Sequence, residues 1–156
     1  MPDIDYIGET RTIDFLKKKR LTIYLPLTDK GIDFIAEKEK HIYQVQVKTS
    51  MFHRNSFFWF RLDKKKMIFS ENTIYIFVSL PLSRHRFMGK AENYFVVSSL
   101  EIKKWLSEKK IVAKEGYDNI FDLYIFPDQE NKKWTYKNKR NQLDWTKYWN
   151  NFSYFK

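Results

Sequence analysis

Polar and apolar side chains alternate along residues 42–48, and the polar ones are of types that can do chemistry. Gln44, Gln46 and Lys48 share one face of this predicted strand, while the opposite face is rich in valine. Asp33 lies on the strand before it. A carboxylate, an amide oxygen and an ammonium group that meet at one point can hold a hard cation and orient a water molecule. The same face could also be a half-exposed sheet surface, so the rest of the sequence has to separate these two interpretations.

Two adjacent strands must position these side chains. Residues 31–37 and 42–50 have the composition of strands, and the charged connection 38–41 is short enough to predict an antiparallel hairpin. Such a hairpin places Asp33 beside Gln46 near one end of the sheet.

A helix is predicted before the hairpin, over residues 6–20, and its basic C-terminus suits the helix dipole. Glu9, Ile13 and Leu16 are spaced so that they share one stripe of this helix. If the stripe faces the core, Glu9 points inward and needs a cation, a hydrogen-bond donor or a metal. If the helix is rotated slightly, Glu9 lies in an exposed first turn instead.

Residues 6–50 resemble the PD-(D/E)xK nuclease superfamily, which has the restriction-endonuclease-like fold. The family pattern is a helix that carries a Glu, a strand with an Asp, and a strand that ends in (D/E)-x-K. Glu9 matches the helix Glu and Asp33 the strand Asp. Gln46 and Lys48 fall on the two positions of the last motif.

Two positions depart from the family pattern. Ile32 stands where the family has Pro, and Gln46 stands where it has Asp or Glu. The resemblance implies an α/β fold with a restriction-endonuclease-like core, in which helices flank a mixed central β-sheet. It also implies a Mg²⁺-dependent DNA endonuclease, with Mn²⁺ as a substitute ion, that acts on double-stranded or branched DNA as a homodimer or higher homo-oligomer.

The chemistry of phosphodiester hydrolysis accounts for these residue types. The reaction needs charge neutralisation on the phosphate oxygens, an activated water and stabilisation of the leaving oxygen. Asp33, the Gln46 amide oxygen and the Val47 carbonyl are expected to hold Mg²⁺, which prefers oxygen ligands. Glu9 is expected to hold a metal-bound water or a second ion. Lys48 is expected to orient the attacking water or to stabilise charge in the transition state.

The remaining sequence predicts further strands and a second helix, and hence one α/β domain over residues 1–156 with an aromatic, basic extension from about 117. The apolar run at 73–80 predicts the most buried strand, which Pro81 should end. Ser98 or Ser99 can cap the later helix. The other predicted strands are 21–26, 57–62, 93–98 and 121–126, and the helix is 100–110.

A formal charge of +10 favours a polyanionic partner. The basic loop 82–90 and the lysines at 64–66 could form a phosphate-contacting rim, or they could be scattered solvated cations. The residues expected to contact nucleic acid are Thr49, Ser50, His53, Arg54, Arg84 and Arg86.

The C-terminal stretch is rich in aromatic residues. Cations and aromatics interleave over 131–140, which suits either nucleic acid or an aromatic hairpin packed on the core. Residues 144–152 predict an amphipathic helix that buries Trp145, Trp149 and Phe152 in the core or in a dimer contact.

Composition also restricts the classes of function. The chain has no cysteine, which excludes disulfides, zinc knuckles and cysteine nucleophiles. The sequence has no apolar run of transmembrane length and an acidic start, so a soluble cytoplasmic protein without membrane contact is expected. Two alternatives to an endonuclease stay open: an inactive nucleic-acid-binding module on the same fold, and a basic interaction protein that binds no nucleic acid.

Overall fold

The structure is a computed structural model that describes residues 3–28, 31–54, 56–83, 86–87 and 92–156, with the backbone alone at 83 and 86–87. These ranges contain helices α1 (Ile4–Lys18) and α2 (Ser99–Ser107) and one sheet of ten strands. The strands are β1 (Thr22–Tyr24), β2 (Phe34–Lys38), β3 (His41–His53), β4 (Phe57–Asp63), β5 (Thr73–Ser83), β6 (Arg86–Phe87), β7 (Asn93–Ser98), β8 (Ile120–Asp128), β9 (Lys133–Asn138) and β10 (Asn141–Asp144). Neither helix is long and apolar enough to cross a membrane.

The long strand β3 divides the sheet into two parts. β1, β2 and β3 form an antiparallel meander, β5 runs parallel to β3, and β7 is antiparallel to β5. The register of β3 shifts between Ser50 and Phe52, where the strand leaves β5 and pairs with β4. From there β4, β8, β9 and β10 continue as a second antiparallel part. A register shift bends a strand, which lets one sheet carry two differently directed surfaces.

The two faces of the central strands carry separate hydrophobic cores. On one face α1 inserts Leu16 among Val45, Val47 and Ile76. On the other face α2 and the second part of the sheet enclose an aromatic core. Trp145 is 0 % exposed in that second core. The prediction of a mixed α/β sheet with a helix on each face is therefore confirmed, and so are the predicted strands and both flanking helices, with shifted ends.

The predicted helix over 144–152 is wrong. The chain forms a hairpin of β9 and β10, followed by a 3₁₀ turn at Thr146–Tyr148. The Trp145 N–H donates to the Trp134 carbonyl at 2.8 Å, and Asn150 has a positive φ of 50°. Trp145 and Trp149, whose spacing suggested one face of a helix, instead flank the 3₁₀ turn that follows the end of β10. The alternative interpretation of 131–140 as an aromatic hairpin packed on the core is right.

Pro81 does not end its strand, contrary to the sequence prediction. β5 continues to Ser83 because Pro81 lies where the ladders are interrupted. β7 pairs with β5 only as far as Ser79, and β6 pairs from Leu82 onward. The pairing with β3 also skips this position. A residue without an N–H is tolerated where no ladder bond is required of it.

The buried stripe of α1 is rotated from the predicted one. Gly8, Thr12 and Leu16 are the buried residues, and Glu9 lies beside this stripe in the second turn. An added Cβ at Gly8 would lie 1.8 Å from Oγ1 of Thr49 on β3. Glycine therefore allows α1 to touch the sheet at this point.

We expect Gly8→Ala to destabilise the fold. Alanine at an exposed helix position stabilises by about 1 kcal/mol over glycine, but here the added methyl group overlaps Thr49 and should cost about 1–3 kcal/mol. Urea unfolding measures the difference. Thr10→Ala, at an exposed position of the same helix, is the matched control and should be neutral or slightly stabilising. A stability gain for Gly8→Ala would contradict this packing of α1 on β3.

Candidate active site

Asp33 lies directly before β2, one residue outside the strand on which it was predicted. Its N–H donates to the Val45 carbonyl at 2.9 Å, although Phe34 is the register partner of Val45, so the backbone stays bonded to β3 one residue before the strand begins. Its Oδ2 then accepts the Val47 N–H at 2.6 Å. A side-chain carboxylate thus takes the place that a backbone carbonyl would have in the ladder. Hydrogen bonds of this charged kind are short and strong, so the position of Asp33 is well fixed.

Gln46 and Lys48 extend from the face of β3 opposite the α1 core. Together with Asp33 they line one cavity of about 620 Å³ beneath the 3₁₀ turn Lys64–Lys66. The structure thus brings three of the four predicted catalytic residues to one cavity. The cavity is lined by Gly31, Asp33, Gln46, Lys48, Leu62, Asp63, Lys65, Lys66, Met67, Ile68 and Tyr75.

The amide oxygen of Gln46 is buried, and no hydrogen-bond partner for it lies within the described residues. A buried acceptor without a partner costs about 1–3 kcal/mol, so a water molecule or a bound cation in the adjoining cavity would stabilise this oxygen. Gln44 on the same face is different, because its Oε1 accepts a hydrogen bond from Thr73 Oγ1 at 3.1 Å. Both amides lie on the same predicted face of the strand, and only Gln46, the one expected in the site, has an oxygen without a partner among the described residues.

Glu9 is half-buried and shares a side-chain hydrogen bond with Asp33. Burial raises the pKa of Glu9 to about 7, and the neighbouring charge of Asp33 and the hydrogen bond to it act in the same direction. Two carboxylates this close cannot both ionise freely, so near neutral pH they hold a proton between them. Neither sequence interpretation of Glu9 describes this position, since Glu9 faces neither the core nor an exposed first turn.

Lys48 provides positive charge that reaches the first turn of α1. Burial raises the pKa of Asp5 in the first turn of α1, Asp3 adds to this, and Lys48 opposes it. Lys65 and Lys66 line the opposite wall. Two of the three lysines at 64–66, Lys65 and Lys66, therefore line the cavity.

Two polar residues of the cavity, Asp63 and Tyr75, were missed by sequence reasoning. Tyr75 stands opposite Gln46 in the parallel pairing of β5 with β3. Asp63 ends β4 and caps the 3₁₀ turn through a bond from the Lys65 N–H at 3.1 Å. The capping role of Asp63 could have been predicted, because an Asp directly before a run of lysines is a typical cap. The closeness of Tyr75 to Gln46 could not, because it depends on a strand pairing that local sequence patterns do not encode.

The donor set of the cavity fits a hard divalent cation. The Glu9–Asp33 pair holds a proton that a cation can replace, and the Gln46 oxygen lacks a partner among the described residues. The Val47 carbonyl faces the same side as the Val47 N–H that Asp33 accepts, because both groups of an extended residue point to one neighbouring strand. These are the oxygen donors that Mg²⁺ prefers. Over the described residues, no group of three or more His, Cys, Asp or Glu side chains converges, so amide and backbone oxygens would have to complete the set.

The residues expected to contact nucleic acid lie in different environments. Ser50 is 1 % exposed, and its Oγ both donates to the Met51 carbonyl and accepts the Trp59 N–H, so its role is internal. Thr49 packs on α1, with its hydroxyl oxygen buried.

Two further members of that set lie at the far end of β3. Arg54 is exposed there, and His53 stacks on the ring of Phe57 at 5.8 Å. Burial lowers the pKa of His53, so its ring is uncharged at neutral pH. Arg84 lies outside the described residues, as does the side chain of Arg86, whose backbone belongs to β6.

No protein family model, no curated protein and no solved structure matches this chain.

We expect the raised pKa of Glu9 to make wild-type stability fall as the pH rises from about 4.5 to about 7. Over this range the unfolded chain has lost the proton that the folded protein retains, so rising pH favours unfolding. Glu9→Gln should remove this decline and be more stable than wild type above neutral pH, by about 1 kcal/mol after allowance for solvent screening.

Urea unfolding at acidic and alkaline pH measures both effects. Glu115→Gln, in an exposed turn, is the control and should keep the wild-type slope. An unchanged slope in Glu9→Gln would contradict the shared proton.

Proposed function

We propose that this protein is a Mg²⁺-dependent endonuclease that hydrolyses phosphodiester bonds of double-stranded or branched DNA. The observation that carries the proposal is one cavity lined by three residues: Asp33, which shares a hydrogen bond with Glu9, Lys48, and Gln46, whose amide oxygen has no partner among the described residues. A structural polar surface would have its acceptors paired or in water, as Gln44 has through Thr73.

Each side chain has a distinct part in this reaction. Asp33, Gln46 and the Val47 carbonyl would hold Mg²⁺, with Glu9 as a further carboxylate for the ion or for its water. When bound, the ion supplies positive charge to the phosphate oxygens and makes the water more acidic. Lys48 orients the attacking water and offsets negative charge in the transition state.

The lysines on the opposite wall complete the site. Lys65 and Lys66 lie across the cavity from β3 and suit contacts to the phosphates next to the scissile bond. Phosphate contacts fix the register of the substrate without reading its sequence.

We also propose that the fold is a variant of the restriction-endonuclease-like core. The order of α1, an antiparallel meander of β1 to β3, and a strand parallel to β3 supports this. Cutting both strands of a duplex requires two sites, so a homodimer or higher homo-oligomer is proposed. Restriction, homing and junction-resolving roles all fit such an enzyme.

One observation favours a second candidate function, a nucleic-acid-binding module that does not cleave. Gln46 is neutral, and a carboxylate at this position would bind the ion more strongly. The site therefore carries one negative charge fewer than it would with Asp or Glu at position 46. Salt-dependent binding of DNA without cleavage and without heat of Mg²⁺ binding would support this candidate.

We expect plasmid DNA to be nicked or linearised by the wild-type protein with Mg²⁺ or Mn²⁺. Asp33→Ala and Lys48→Ala should each lose about 100-fold or more in rate, because each removes a group that acts on the water or the developing charge. Agarose gels of a time course measure the rates. Asp118→Ala and Lys104→Ala, both exposed and distant in the fold, are the charge-matched controls and should cleave as wild type does. Equal rates in all five proteins would defeat the assignment.

Substitution of Gln46 tests the ion site separately. Gln46→Glu should tighten Mg²⁺ binding by about tenfold, because a carboxylate on β3 would add a negative charge next to Asp33 where the ion is held. Titration calorimetry above neutral pH, where Glu9 is ionised, measures this. Gln44→Glu, on the same strand and face, is the matched control and should leave Mg²⁺ affinity unchanged. The same affinity change in both variants would show that the ion responds to general charge and not to this position.

A further inference from the structure

A second surface with binding chemistry lies on the outer face of β4 and β8, away from both cores. Five rings gather there: His53 at the end of β3, Phe57 and Trp59 on β4, and Tyr124 and Phe126 on β8. We call these five residues the aromatic platform. None of them belongs to either hydrophobic core.

The rings of the platform touch one another. Trp59 and Tyr124 stand opposite each other in the β4–β8 register, with their rings nearly parallel at 25° and 6.3 Å apart. Phe57 meets the edge of Tyr124 at 5.4 Å and lies 5.6 Å from Phe126. Flat faces this close form a continuous surface on which planar groups can stack.

Trp59 differs from the other tryptophans in its exposure. It is 36 % exposed, whereas Trp105 and Trp145 are at most 1 % exposed. The other four rings of the platform are half-buried around it. An exposed ring that is surrounded by partly exposed ones indicates a contact surface more strongly than a single exposed ring does.

A buried carboxylate holds the central ring in place. Asp122 on β8 is 4 % exposed and accepts the indole N–H of Trp59 at 2.9 Å. It also accepts two bonds from the Arg61 guanidinium, at 2.8 and 3.3 Å. Burial alone would raise the pKa of Asp122, but the hydrogen bonds from Arg61 and Trp59 outweigh it and hold that pKa below its usual value. The ring and the cation are therefore pre-organised, which lowers the entropy lost on binding.

Cations accompany the rings. The Arg61 guanidinium lies 5.3 Å from the centre of the Trp59 ring, and Lys137 Nζ lies 5.8 Å from the centre of Phe126. Solvent-accessible rings with cations beside them match the two parts of a nucleic-acid strand, whose bases stack and whose phosphates are anionic. A second copy of this chain fits less well, because a two-fold contact centred on Phe126 would bring the two copies of Lys137 close to each other.

We propose that the aromatic platform binds single-stranded nucleic acid by stacking of unpaired bases. In a duplex the bases are already stacked on one another, so the platform should prefer unpaired strands. Asp63, four residues along β4 from Trp59 and about 13 Å away at the rise of a strand, lines the candidate active site. The platform is thus placed to hold a strand next to that cavity, but its binding does not depend on cleavage.

Anisotropy of a short fluorescent oligothymidylate in EDTA at low salt tests this proposal. The wild-type protein should bind it, and Trp59→Ala should weaken binding by about tenfold, the size expected for loss of one base–aromatic stack. Trp59→Phe keeps a flat ring and should retain most of the affinity. Tyr154→Ala is the matched control, because Tyr154 is also 36 % exposed but lies next to Phe155 of the other core, and it should bind as wild type does.

Thermal melting of each variant establishes that it is folded. Equal affinity of Trp59→Ala and Tyr154→Ala would overturn the proposal, as would an absence of oligothymidylate binding by the wild type. A platform-dependent change in mass by light scattering, with no effect on oligothymidylate binding, would show a self-association surface instead. The assay contains EDTA and measures binding alone, whereas the nuclease proposal fails if the wild type does not cleave DNA with Mg²⁺. Failure of the nuclease proposal and failure of the platform proposal therefore give different results.

Discussion

The hydrogen bond from the Val47 N–H to the Asp33 carboxylate, at 2.6 Å, is the contact on which the candidate site depends. A side chain ends the β2–β3 ladder here, so β2 does not pair with β3 beyond this point. The side chains of Gln46 and Lys48 extend from β3 at the same place. The register of β2 on β3 would make the backbone of Ile32 the partner of Val47, and the Asp33 carboxylate takes that place. The bond therefore determines both where the cavity begins and which carboxylate faces it.

A second constraint brings the other carboxylate to the same point. Gly8 allows α1 to approach β3 at Thr49 more closely than any residue with a side chain would, and Glu9 follows it in the helix. The two acids then share a hydrogen bond, and the pKa of Glu9 is raised to about 7 by burial and by Asp33. Such a pair is unfavourable when fully ionised, and a divalent cation is the simplest partner that relieves it.

Much of this arrangement follows from local patterns in the sequence. Alternation along 42–48 predicts that Gln46 and Lys48 share a face, and the short connection predicts the hairpin that brings Asp33 near them. Pairings between distant segments are not encoded locally, and these account for what was missed. Tyr75 reaches the cavity through the parallel pairing of β5 with β3, and Trp145 reaches the aromatic core through the β9–β10 hairpin where a helix was predicted. Trp59 and Tyr124 meet only because β4 pairs with β8. The sequence around either residue therefore does not predict that the two rings share a surface.

The central claim is that Asp33 and Gln46 hold a divalent cation together. Anomalous diffraction from crystals soaked in Mn²⁺ above neutral pH, where Glu9 is ionised, tests it most directly, because manganese scatters anomalously and prefers the same oxygen ligands as magnesium. We expect an anomalous peak between the Asp33 carboxylate, the Gln46 amide oxygen and the Val47 carbonyl, and no such peak in Asp33→Ala. Crystals of the wild-type protein that bind Mn²⁺ only elsewhere, or not at all, would contradict it.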